Sequence, residues 1–248
     1  MLETIEFFDY TGGENSLNKC LDQVLLMIRT PIEYNLFMKN TDNLRIDIVI
    51  ATRNSGKMAE IWKMLSNSVY KPLSLEQVQV FEEIEETGTT FKENAILKAE
   101  TYGKLTGRLT LADDSGIEVD ALGGLPGIYS ARYGGEGKND NDRNQLLLSK
   151  LEGISEDELT ARFRCVVALW NPIDDNVVTF EGKIEGRVTR NVKGRNGFGY
   201  DPLFFFPEKN RTLAELTSQE KELVSHRGEA MKGAIAYMEE NVFSLRGD

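Results

Sequence analysis

The chain is poor in cysteine, in positive charge and in long apolar runs, and each shortage removes a class of protein. Its two cysteines, Cys20 and Cys165, stand far apart and without metal-ligand spacing, which argues against a disulfide framework or a zinc site and points to a reducing compartment. Lysine and arginine total 29 against 40 aspartates and glutamates, for a net charge of -11. A surface of that sign repels phosphate backbones and anionic lipid, so neither nucleic acid nor membrane is expected as a partner. A small anion would need locally clustered cations or a metal. No apolar run approaches membrane-spanning length, and Glu3, Glu6 and Asp9 stand where a secretory signal carries basic residues, so a soluble, cytoplasmic protein is expected. His226 is the single histidine; beside Arg227 it reads, without context, as a surface or satisfied core group.

What is present suits a globular protein. With 40% apolar residues over 248 positions the chain can bury a sizeable core in one large domain or two small ones. Leu17, Leu21, Val24, Leu25 and Ile28 fall at helical spacing, so residues 1–45 read as an extension with an amphipathic helix ended before Pro31, and 46–248 as the main domain.

Ile46 to Thr52 is a β-branched run fit for a buried strand. Arg53-Asn54-Ser55-Gly56-Lys57 follows, then apolar residues at helical spacing. A strand, a polar loop with glycine and lysine, and a helix start form an arrangement in which backbone N–H groups meet phosphate; the spacing is not that of a Walker loop, and a solvated loop is the competing reading. Val78 to Glu86 alternates and turns acidic, reading as a second strand, and Thr89 or Thr90 can cap the helix beginning at Phe91. Asp140 to Leu151 reads as a further helix. Ala161–Trp170, Val177–Thr189 and Pro202–Pro207 read as strands, and Lys232–Glu240 as a closing helix. The order implies an α/β fold with a mixed sheet.

The densest chemistry lies in Thr110 to Gly135. Asp113 and Asp114 follow a short apolar run and precede serine and glycine, as at a strand end delivering carboxylates to a sheet edge; a surface turn is the competing reading. Strand geometry sends the two side chains to opposite faces, so one can face a cleft while the other orients structure. Near the end of the chain, glycines around Phe198 and Tyr200 permit tight backbone and leave aromatic faces for a planar ligand.

Together, ATRNSGK (51–57), EETGTTFKENAILKA (85–99), LADDSGIEVDALGGLPGIYSARYGG (111–135), GFGYDPLFF (197–205) and ELTSQEKELVSHRGEA (215–230) closely resemble the inosine/xanthosine triphosphate pyrophosphatase family over residues 46–243. The resemblance implies an Mg2+-dependent hydrolase cleaving ITP, dITP and XTP to the monophosphate and pyrophosphate. It also implies a long mixed sheet flanked by helices, two lobes with the active-site cleft between them, and a homodimer. Matched position by position, Asp114 is the proton acceptor and, with Glu86, a metal ligand, while Asp113 is the lesser candidate. Thr52, Arg53, Asn54, Ser55, Gly56, Lys57, Lys98 and Ser115 match triphosphate contacts; Phe198, Gly199, Tyr200, Asp201, Lys221, His226 and Arg227 match residues around the nucleotide and base. Arg227 only donates hydrogen bonds, so it rewards the O6 acceptor of hypoxanthine and xanthine and leaves the amino group of adenine unanswered. Guanine shares O6, so its rejection needs a further contact. Arg53 departs from the family, where glycine is common. The competing functions are a pyrophosphatase for other modified triphosphates and a nucleotide-sensing interaction protein. Glu86, Lys98 and Asp114 favour turnover over sensing.

Overall fold

The computed structural model describes residues 45–241 and residue 245; apart from residue 45, the extension read over residues 1–45 and the helix expected in it lie outside the described residues. Among the described residues seven strands form one sheet in the order β2-β1-β3-β4-β5-β6-β7. β1 (Ile46–Ile50) pairs in parallel with β2 (Tyr70–Ser74) and β3 (Thr110–Val119). From β3 onward the pairing is antiparallel, through β4 (Thr160–Asn171), β5 (Asn176–Val188), β6 (Phe204–Phe206) and β7 (Arg211–Thr212). The sheet is mixed, as expected.

Among the described residues five α-helices flank it: α1 (Ser55–Leu65), α2 (Phe91–Thr106), α3 (Asp140–Lys150), α4 (Ser218–Val224) and α5 (His226–Glu240). Their starts follow from capping chemistry. Asn54 accepts from the Lys57 amide, and Thr90 and Glu93 form a reciprocal box at α2. Thr217 with Glu220 opens α4, and Ser225 opens α5, so that helix begins six residues earlier than Lys232 and carries His226 and Arg227 in its first turn.

Two cores lie against different parts of the sheet. One joins Val49, Ala51, Ala112, Val166, Ala168 and Trp170 to Phe91, Ala95, Ala99 and Tyr102 of α2. The other joins Ile117, Val119, Phe163, Ile184, Val188 and Phe204 to Leu147 of α3 and to Leu203, Leu213 and Leu216.

Two sequence expectations are corrected. The second strand is Tyr70–Ser74 rather than Val78–Glu86. Pro72 hides it in the sequence, but β2 is a sheet edge, where a missing N–H costs no ladder bond. The 78–86 alternation comes instead from a strap whose Val78, Val80 and Ile84 pack on the first core. The second correction concerns Asp113 and Asp114, which lie in the middle of β3 and not at its end, because the ladder with β4 continues to Val119 opposite Ala161. Gly116 allows this: a Cβ there would run into Ser130 and the Gly127 carbonyl, so the sheet can pass beneath the Gly127–Arg132 turn.

Candidate active site

Alternation along β3 divides the two acids. Asp113 shares a face with its ladder partner Val167 and with Ser115; Asp114 shares the other with Val166, beneath α2.

Asp113 is fully buried beneath the first turns of α1 and α5. Its Oδ2 receives the Lys57 ammonium at 3.1 Å, Arg227 Nε at 3.1 Å and the Ser115 hydroxyl at 3.3 Å. Burial alone would raise its pKa, but Lys57, Arg227 and Lys98 outweigh that and hold the carboxyl well below the usual range. Burial, with Asp113 adding to it, pushes the neighbouring Cys165 thiol up to about 12, so it is an inert neutral packing group.

Arg227 is buried as well. Besides Asp113 it donates from Nη1 to Glu60 at 2.5 Å and from Nη2 to Ser115 at 2.7 Å. Glu60 also holds the Lys221 ammonium at 2.7 Å, and Lys221 pairs closely with Asp201. Asp201 in turn accepts from the Phe198 amide at 2.9 Å, and the Phe198 ring lies 4.8 Å from Lys221 Nζ and 5.5 Å from the Arg227 guanidinium carbon. His226 is stacked on Phe163 at 4.7 Å; burial first, then Arg227 and Lys221, lower its pKa far enough that it is neutral.

On the opposite face Asp114 receives Lys98 Nζ at 3.2 Å and Asn94 Nδ2 at 3.3 Å. Lys98 also reaches Glu86 Oε1 at 2.6 Å, and the other Glu86 oxygen accepts from Arg132 at 2.5 Å. Burial raises the Asp114 pKa; Lys98 and Lys57 oppose it, Glu86 and Asp113 reinforce it, and the outcome is above the ordinary value. Burial also works on Glu86, but Lys98 and Arg132 overcome it and its pKa falls. Two adjacent carboxyls thus have opposite shifts.

The structure gathers most of the sequence-nominated residues. Thr52 accepts from the Asn54 amide, Asn54 caps α1, Ser55 opens that helix exposed, and the Phe198 ring sits where a Gly56 side chain would be. Gly199 is clamped by α3, its amide donating to Asp140 at 2.7 Å and its carbonyl accepting from Asn144 at 3.0 Å. One residue differs from expectation. Tyr200 presents no free ring: it is buried in the second core with its hydroxyl on the Ser130 carbonyl at 3.0 Å. Arg53 is exposed and donates to the Val80 and Glu82 carbonyls at 3.2 and 2.9 Å. With Tyr102, whose hydroxyl donates to the Glu82 carbonyl at 3.1 Å, it ties down the strap that carries Glu86.

Sequence reasoning did not single out Glu60, Asn94 or Arg132. Helical spacing flags the first two, since Glu60 stands three residues after Lys57 on α1 and Asn94 four before Lys98 on α2. Arg132 lies in a turn and has no such marker.

A mixed α/β sheet with a capped loop and helix after its first strand, and with acids and cations paired on both faces of β3, defines a protein class suited to handling a small, highly charged anion. Within that class the chain belongs to the Ham1 family, whose sequence model matches residues 48–237. It is 48% identical over 194 residues to a dITP/XTP pyrophosphatase of Bacillus licheniformis, covering 78% of this chain and 98% of that protein. A dITP/XTP pyrophosphatase of Bacillus subtilis is 47% identical over 186 residues, 75% of this chain and 93% of its own. Among solved structures, a HAM1 protein from Coxiella burnetii superposes with a TM-score of 0.72 at 42% identity, over 79% of this chain and 99% of that one. The Staphylococcus aureus Ham1 protein gives 0.70 at 39% identity over the same shares.

Proposed function

We propose that this chain hydrolyses non-standard purine nucleoside triphosphates, dITP, ITP and XTP, to the monophosphate and pyrophosphate, clearing them from the nucleotide pool. The observation that carries the mechanism is the divergence of Asp113 and Asp114: one locked as a permanent counter-ion, the other raised toward the range of a working base. Relatives named dITP/XTP pyrophosphatase at 47 and 48% identity support the substrate class.

The residues present fit Mg2+. Glu86 and Asp114 are hard oxygen donors that converge on one ammonium, at 2.6 and 3.2 Å. Among the described residues no cluster of three or more histidine, cysteine, aspartate or glutamate side chains stands ready for a metal. Two carboxylates are what Mg2+ takes when substrate phosphates and waters complete its shell. Bound there, it would offset phosphate charge as a Lewis acid.

The chain's own residues do the rest. Asp114 takes a proton from the water that attacks the α-phosphorus, and the bond to the bridging oxygen of the β-phosphate breaks. Lys98, freed from the carboxylates, and Lys57 face the phosphates, and the amides at the start of α1 add a positive dipole end. Arg227 has spent one N–H on each of three partners, and its remaining donors suit a purine O6. A homodimer and a cytoplasmic setting belong to the same proposal. Pyrophosphate release should be fast from dITP and XTP and slow from dATP and dGTP; equal rates on dATP would remove the base assignment.

A further inference from the structure

Arg132 takes no part in the mechanism above, yet its guanidinium closes one end of the acid pair. We propose that Arg132 is a substrate-binding residue that leaves Glu86 for the pyrophosphate end of the triphosphate. The proposal rests on the hydrolase reading and extends it by one residue.

The pairing pattern supplies the first argument. Lys57 and Arg227 are held by Asp113, and Arg227 and Lys221 by Glu60. Neither acid is one of the two oxygen donors assigned to the metal, Glu86 and Asp114, so those three cations keep a partner when it binds. Lys98 and Arg132 differ: among the described residues their carboxylate partners are Glu86 and Asp114 alone. Once Glu86 and Asp114 serve as metal ligands, both cations lose their counter-ions together. Lys98 already has a role at the phosphates, and the same reasoning delivers Arg132 beside it.

Charge supplies the second argument. Glu60, Glu86, Asp113, Asp114 and Asp201 face Lys57, Lys98, Arg132, Lys221 and Arg227, a neutral set of five and five. A nucleoside triphosphate brings about four negative charges; a divalent cation held by Glu86 and Asp114 is offset by those two carboxylates, so the two cations they release are left to answer about two of the four.

The third argument is how the side chain is mounted. The turn beneath it is fixed, because Ser130 Oγ accepts from the Ile117 amide at 3.0 Å and donates to the Gly127 carbonyl at 2.6 Å, and the Ser130 carbonyl accepts from Tyr200. The Arg132 side chain is 42% exposed and lies 5.3 Å from the centre of the Tyr129 ring, a contact that can hold it extended during the exchange. A planar guanidinium with paired donors is suited to the oxygens of a phosphate.

The test is calorimetric binding of inorganic pyrophosphate and of dIMP to the full chain at saturating Mg2+, comparing wild type with Arg132→Gln and Arg132→Lys. Arg132→Gln should weaken pyrophosphate by about tenfold or more, Arg132→Lys should recover part of that, and dIMP should bind unchanged. Unaltered pyrophosphate affinity in Arg132→Gln overturns the proposal. So does equal weakening of dIMP, or a loss that further Mg2+ reverses, since that assigns Arg132 to holding Glu86 alone. A wild type that releases no pyrophosphate from dITP sinks the hydrolase reading itself, in a separate assay.

Discussion

The two faces of β3 carry the same residue type one position apart and put it to opposite uses. On the α1/α5 face, Asp113 is enclosed by two cations mounted on helix first turns and by the hydroxyl of Ser115 on its own strand. On the α2 face, Asp114 meets one cation shared with another acid and a weak amide contact. The lesson is that burial does not decide a carboxylate's behaviour: both are buried, and the ratio of dedicated cations to acids settles the direction of the shift.

Substitution should separate the faces. Asp114→Asn is expected to abolish nearly all pyrophosphate release, a loss of roughly a hundredfold to ten-thousandfold, while the melting transition stays close to wild type; substantial residual turnover would move the base elsewhere. Asp113→Asn leaves Lys57 without its carboxylate partner and Arg227 with Glu60 alone, so unfolding in denaturant should show a loss of about 3–5 kcal/mol. A variant as stable as wild type would end the contrast between a structural and a reactive acid.

A smaller effect should appear with pH. Asp113 has a folded pKa below its unfolded value of 3.8, so its contribution is fully present above 3.8 and is lost only as pH falls through the lowered value. Asp114 lies on the other side of 3.8, and its protonation removes the base while the fold is still intact. On acidification kcat/KM should therefore fall before the melting temperature does. Simultaneous loss of both would mean that one group governs activity and stability alike.

How much of this was legible in the sequence depended on whether the signal was local. β1, α1, α2 and the β4–β5 hairpin follow from apolar periodicity and capping residues, which act over a few positions. β2 did not, because a strand containing Pro72 is acceptable only at an edge, and edge position is a property of the whole sheet. The opposite orientations of Asp113 and Asp114 follow from strand alternation alone. What distinguishes their chemistry does not: Arg227 stands 114 residues from Asp113, and Arg132 stands 46 from Glu86. Arg53 illustrates the same limit, since its acceptors are carbonyls 27 and 29 positions away.

Mid-strand placement of the acids has a mechanical consequence. A carboxylate borne by a ladder that runs ten pairings from Thr110 to Val119 behaves like an anvil, unable to follow a moving reactant. Accommodation to a shifting polyphosphate therefore falls to the long side chains around it, Lys57, Lys98 and Arg132, whose several rotatable bonds make them the compliant parts of an otherwise stiff device.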